Sequence, residues 1–416
     1  MWKVYQPTGI LMKRWNFSRI STLTFCVLIV LPILFVELAE AASAHENQQT
    51  GDRGVSKSEG LILEGIHLVY DRRFPEAERV FREVIAQSPA LPAGYFYLAM
   101  VSWSRLAAGF WTPGNVSEFK KRIDRAIEIA KARVDQTGGN SYDFFYLGGA
   151  LGFKGRFELM KGRWMSSYFL AREAIDALKV CQEMAPDNKD VLLGLGTFDY
   201  YTARLSGFLK FITSFFLYKG DIKRGLERLN IAAEEAVFSS IETKSVLLHI
   251  YLFLQKNYAK SLSLSMELSN TFKNNPKFHL LKGVTYIRLN KDDMVKKTVA
   301  ELRQKGFESE DKLSAAMWER RARYLELIHD IYGNNYPQAM EKINLLLASA
   351  DPENDPAMIA WTILKKGMIY DLEGNREEAE NYYEQVLNME NASGAQFIAE
   401  KYLKAPIKQG SAAIGY

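Results

Sequence analysis

The sequence predicts an all-α fold, a solenoid of antiparallel helix pairs, and three observations carry that expectation. Small and large residues recur at fixed offsets. Gly65, Ala77, Phe81 and Pro89 stand at 0, 12, 16 and 24; Gly162, Ala174, Leu178 and Pro186 repeat those steps; Gly367, Ala379 and Tyr383 repeat the first three. Gly65 to Ala99 and Gly162 to Gly196 are each 34 residues apart. The second observation is one apolar stripe. Ala77, Val80, Phe81, Val84 and Ile85 fall at 0, 3, 4, 7 and 8, as do Ala379, Tyr382, Tyr383, Val386 and Leu387, with close variants at Ala174 and Ala339. That spacing is one face of a 3.6-residue helix. The third is that no alternating apolar–polar run of strand length occurs.

Taken in order, residues 1–44 read as an export signal. MKRWNFSR (12–19) is basic, Leu23 to Val36 is almost wholly apolar, and Ala42-Ser43-Ala44 offers the small side chains a signal peptidase accepts. Met12 is a plausible start, and cleavage would leave His45 first. The apolar run is short for a bilayer span of about 20 residues, so an uncleaved anchor is the alternative. Residues 45–57 are a polar, flexible leader, 58–403 the repeat array, and 404–416 a C-terminal tail. Within the array, Phe74-Pro75-Glu76-Ala77 and Tyr336-Pro337-Gln338-Ala339 share a helix start with proline in the first turn, where its missing N–H costs nothing. Tyr258–Leu268 reads as a second helix and Pro276–Leu289 as a first helix. Ala174 closes a unit opened either at Gly162 or at Phe144, and the residues leave both open. Seven to nine units fit, with the period broken near 104–140 and 203–240.

These offsets resemble the tetratricopeptide (TPR) superfamily, a 34-residue helix-turn-helix unit. Glu64 and Lys366 stand where that pattern has Leu, and Asn391 where it has its last Pro. The resemblance implies a superhelix whose concave groove is lined by first helices and binds a protein or peptide segment. Carried onto this chain, its groove positions select Phe96, Met100, Trp103, Leu193, Tyr200 and Trp361. Packing between neighbouring units is the competing role for the same side chains. Gly194, Gly196 and Phe198, the apolar run that follows, and Gly225-Leu226 are also similar to the eukaryotic inclusion-body-clearance family of TPR proteins, and no function is carried over.

Composition narrows the function classes. The chain is 48% hydrophobic and 25% charged, so it folds, and beyond residue 44 it holds 49 basic against 47 acidic side chains. That balance gives no general attraction to nucleic acid. The basic residues of 120–133 alternate with Glu128 and Asp124, as on a solvated helix face. No phosphate-binding glycine loop, zinc-binding H-E-x-x-H or C-x-x-C, or nucleophile elbow occurs. The histidines are scattered, and Cys181 sits on an apolar stripe. No enzyme, cofactor or metal is expected. The expectation is an exported, non-enzymatic scaffold for protein–protein contact, periplasmic or secreted. The alternative is a peripheral membrane or lipid-handling factor using LSGFLKFITSFFLY (205–218), with Phe208, Phe211, Phe215 and Phe216 as contact residues. A buried helix is the plainer reading of that run.

Overall fold

A computed structural model describes residues 58–204, 220–389 and 394–416 of the chain. They are all-α: among the described residues there is no strand. The helices run α1 (58–70), α2 (Phe74–Gln87), α3 (Pro92–Ala107), α4 (Pro113–Thr137), α5 (Ser141–Met160), α6 (Trp164–Met184) and α7 (Val191–Thr202). Then come α8 (Ile222–Glu235), α9 (Ser240–His249, continued by a wider turn at Ile250–Leu254), α10 (Tyr258–Thr271) and α11 (Pro276–Arg288). Next are α12 (Asp292–Phe307), α13 (Lys312–Tyr332), α14 (Tyr336–Ala348), α15 (Pro356–Leu372), α16 (Arg376–Leu387) and α17 (Ala395–Lys404). Odd helices open hairpins and even ones close them, from α1/α2 to α15/α16, and α17 covers the end. Each helix packs on its sequence neighbours, and first helices also meet the next first helix, as α3 meets α5 and α11 meets α13. This is the contact pattern of a stacked helical solenoid.

The predicted stripes form the core. Ala77, Phe81 and Val84 of α2 and Ala379, Tyr383 and Val386 of α16 are buried. Close crossing of the paired helices explains the small residues. A Cβ on Gly65 would strike the Phe81 ring, and one on Gly367 would stand 2.9 Å from Tyr383. The reading that opens a unit at Gly162 is corrected. Gly162 lies in the α5–α6 turn at φ 72°, and it is Gly148 of α5 whose Cβ would meet Leu178 at 2.7 Å. The unit therefore opens near Phe144, and helices of 20 and 21 residues, rather than an insertion, stretch its period. Likewise the break near 104–140 is the 25-residue α4.

The hairpin turns share one device. Arg72, Gly162, Asn290, Asn334 and Gly374 adopt left-handed φ, between 53° and 82°. The next residue's N–H returns to the carbonyl five residues back, as in Asn375 N to Tyr370 O at 2.8 Å and Lys291 N to Tyr286 O at 3.0 Å. That bond satisfies a carbonyl the helix end would otherwise orphan.

Early hairpins also touch late ones. Asn274 donates its main-chain and side-chain N–H to Asp71 at 3.0 and 2.8 Å, and the Tyr70 hydroxyl donates to Glu242 at 2.5 Å. Gln396 donates to the Met160 carbonyl at 3.0 Å. Asp355, buried between Arg320 and Arg321, holds the α13–α15 junction, and the pair of guanidiniums keeps its carboxyl below the usual range despite burial.

Gly374 has open space where a Cβ would stand, so Gly374→Ala should cost only the left-handed backbone strain, about 1 kcal/mol. Chemical denaturation read by circular dichroism measures it.

Candidate functional site

The inner side of the later hairpins carries a built cradle, and residues 407–416 are seated in it. The walls come from first helices. Arg288 of α11 donates to the Gly410 carbonyl at 3.1 Å. Tyr332 and Tyr324 of α13 donate to the carbonyls of Ser411 and Tyr416 at 2.8 and 2.7 Å. Lys365 of α15 donates to the Ala413 carbonyl at 3.1 Å, and Asp371 accepts the Ile407 N–H at 3.1 Å. These side chains address main-chain atoms. Side chains of the segment bond as well: the Gln409 amide donates to the Ile331 and Tyr332 carbonyls, both at 3.2 Å, and the Ser411 and Tyr402 hydroxyls meet at 2.9 Å. Ile414 is fully buried, and the Tyr416 ring lies nearly parallel to Phe253 and Trp361, at 4.1 and 6.0 Å between centroids.

Burial sets the protonation of the cradle. It pushes the Tyr332 hydroxyl up to about 12, with nearby Arg288 pulling the other way, and raises Tyr324 further. Both phenols stay protonated and can donate. Lys365 is wholly buried, and burial lowers its ammonium to about 7. Its Nζ also lies 3.7 Å from the Met368 sulfur.

The residues selected from the sequence fall in different places. Phe96, Met100 and Trp103 are buried. The Phe96 ring meets Tyr146 at 5.5 Å and Trp103 meets Phe153 at 5.6 Å, both partners lying on α5. They thus make inter-unit packing and offer little surface. Tyr200 is fully buried and its hydroxyl accepts from Gln255 at 2.8 Å; Leu193 is half-buried against the same small cluster. Of the six, Trp361 stacks on the seated segment. Phe208, Phe211, Phe215 and Phe216 lie outside the described residues. Sequence reasoning passed over Arg288, Tyr324, Tyr332 and Lys365. The one available signal was Lys365 itself, a lysine within an otherwise apolar helix face.

Other features carry less chemistry. A groove of about 710 Å³ between α12, α13 and α14 is lined by Val299, Phe307, His329 and the Arg303–Glu326 and Lys342–Asp330 ion pairs. Cys181 is buried, and burial pushes its thiol up to about 11, the state of an inert packing residue. Among the described residues no group of His, Cys, Asp and Glu could hold a metal ion, and no helix is long and apolar enough to cross a membrane.

No protein-family model matches the chain. No curated protein matches it. Among solved structures, the human IFIT1 dimer with PPP-AAAA is similar at 14% identity and a TM-score of 0.43, covering 84% of each chain. The IFIT1 dimer with m7Gppp-AAAA gives 14% and 0.44, with 85% of each chain covered. The TPR domain of P58(IPK) gives 14% and 0.22, covering 86% of this chain and 92% of that one. The fold assignment rests on the helix packing described above.

Two outcomes are expected. Trp103→Ala should lose about 3–5 kcal/mol in equilibrium unfolding, the cost of emptying a buried aromatic site. The sign for Lys365 follows from linkage. Its folded pKa of about 7 lies below the ordinary 10.5, so between those values the unfolded chain binds the extra proton. Stability therefore rises with pH across that window, by up to about 1.4 kcal/mol per unit from this group. Lys365→Met should remove that slope relative to the parent chain, measured by denaturation between pH 7 and 10.

Proposed function

We propose that the chain is an exported, non-enzymatic scaffold that holds a polypeptide segment of a partner protein along its first-helix wall. The observation that supports this is the cradle: donors from α11, α13 and α15 converge on main-chain carbonyls of a turn and the short 3-10 helix Ala412–Gly415 that follows it. Hydroxyls, a guanidinium and an ammonium aimed at several main-chain oxygens of one segment suit a polypeptide backbone. The near-even charge balance of the array favours protein over nucleic acid as the partner.

Export, and a periplasmic address in a two-membrane bacterium, rest on the basic stretch, apolar run and Ala42-Ser43-Ala44 site of residues 1–44. A reporter fusion should be delivered across the membrane, and the exported chain should begin near His45 by N-terminal sequencing. Retention of the first 44 residues on an inner-membrane product would instead support the anchored form.

A photo-crosslinking residue at Trp361, half-buried on α15 and stacked on Tyr416 of the seated segment, tests the scaffold reading in the producing cell. Discrete protein adducts are expected. A folded, correctly delivered chain that yields only lipid or nucleic-acid adducts would overturn it. The second reading, a lipid-handling factor, is favoured by the four phenylalanines of 205–218. Flotation with anionic liposomes that is lost on Phe215→Ser and Phe216→Ser would support that reading.

A further inference from the structure

Only part of the seated segment is read by sequence. Five side-chain bonds go to its main chain, and these depend on the turn and 3-10 helix it adopts rather than on its side chains. Gln409 and Ser411 add side-chain hydrogen bonds, and three further positions are selective by shape. At Gly415 a Cβ would stand 2.7 Å from Val284, so a side chain is excluded. Ile414 is fully enclosed, and Tyr416 fills a place against the faces of Phe253 and Trp361. The cradle thus selects an aliphatic residue, then glycine, then an aromatic ring.

The segment shares the core of these hairpins, but the helix crossings beneath the cradle do not involve it. Leu325 of α13 closes directly over Gly283 of α11, and Tyr383 of α16 over Gly367 of α15, contacts in which residues 407–416 take no part. If the segment left, the helices would stay stacked while Lys365, Tyr324 and Tyr332 lost their acceptors. A wall with unmet donors favours refilling by another backbone. The start of the segment is only partly covered. Ala405, Pro406, Lys408 and Gly410 are exposed around the buried Ile407, Gln409 is held through its amide by the Ile331 and Tyr332 carbonyls, and Gly410 turns at φ 73°.

We propose that residues 411–416 are a resident ligand of this cradle, and that a partner segment of the same aliphatic–glycine–aromatic chemistry takes the cradle by displacing them. This rests on the polypeptide-holding reading above and adds the partner's chemistry and the competition.

The test uses the full exported chain and a fluorescent peptide, IKQGSAAIGY, copied from residues 407–416. Gly415→Val should eject the resident segment against Val284 and leave the cradle open. The variant, folded by circular dichroism, should bind the peptide at least ten-fold more tightly than the parent chain. The same peptide with valine in place of its second glycine should not bind. A folded Gly415→Val chain that ignores the peptide overturns the proposal. If that chain still gives protein adducts from position 361, only the displacement idea falls and the scaffold reading stands. Should Gly415→Val not fold, amide exchange on the unaltered chain decides. Exchange of the Ile414 and Tyr416 amides at least ten-fold faster than the middle of α15 supports a segment that leaves by itself. Equal protection makes it fixed core and overturns the proposal.

Discussion

Everything in this molecule depends on how closely two helices can cross. Where Gly65 faces Phe81, Gly148 faces Leu178 and Gly367 faces Tyr383, the absence of a side chain on one helix admits a large group from its hairpin partner. A single hairpin still leaves an apolar stripe bare, and only the next hairpin covers it. Stacking is therefore compelled by hydrophobic burial, and the first helices line up on one side as a geometric by-product. The cradle inherits its wall from that alignment.

Much of this was written in the order of residues. The stripes at Ala77 and Ala379 and the prolines at Pro75 and Pro337 carry short-range information, because helix period and first-turn sterics act within a few positions. Hairpin turns were half-visible. Asn290, Asn334 and Gly374 are residue types that enter left-handed φ readily, whereas Arg72 is not. Gly162 misled for the same reason, since a glycine that permits a turn and a glycine that permits a crossing look identical in a string. The wall was harder still. Phe96 and Trp103 match groove positions, yet large rings beside α5 gain more by packing on Phe153 than by facing water. The cradle itself joins residues from positions 253 to 416, and no local pattern encodes that meeting.

The electrostatics of the cradle follow from its dryness. A buried ammonium normally recruits a carboxylate, and Asp355 shows how the fold does so elsewhere, with two guanidiniums around one acid. Lys365 instead meets a carbonyl, a thioether sulfur and, at 5.7 Å, the Trp361 ring. Such neutral partners compensate a full charge poorly. The proton is held loosely there, while the adjoining phenols hold theirs tightly. The wall keeps donors facing the seated backbone without presenting a strong net charge to it.

The hydrogen bonds between Asp71 and Asn274 join residues 203 positions apart. A simple stack of repeats stores its stability in nearest-neighbour links, so its ends can fray independently. A latch across so long a loop adds a bond that forms only after the intervening hairpins are in place, at an entropic cost that grows with the logarithm of the loop. Assembly is then local first and latched last, and damage to an internal hairpin is felt at both sides of the latch. The array behaves less like beads on a string than like a belt buckled partway along, between the turn after α1 and the loop before α11.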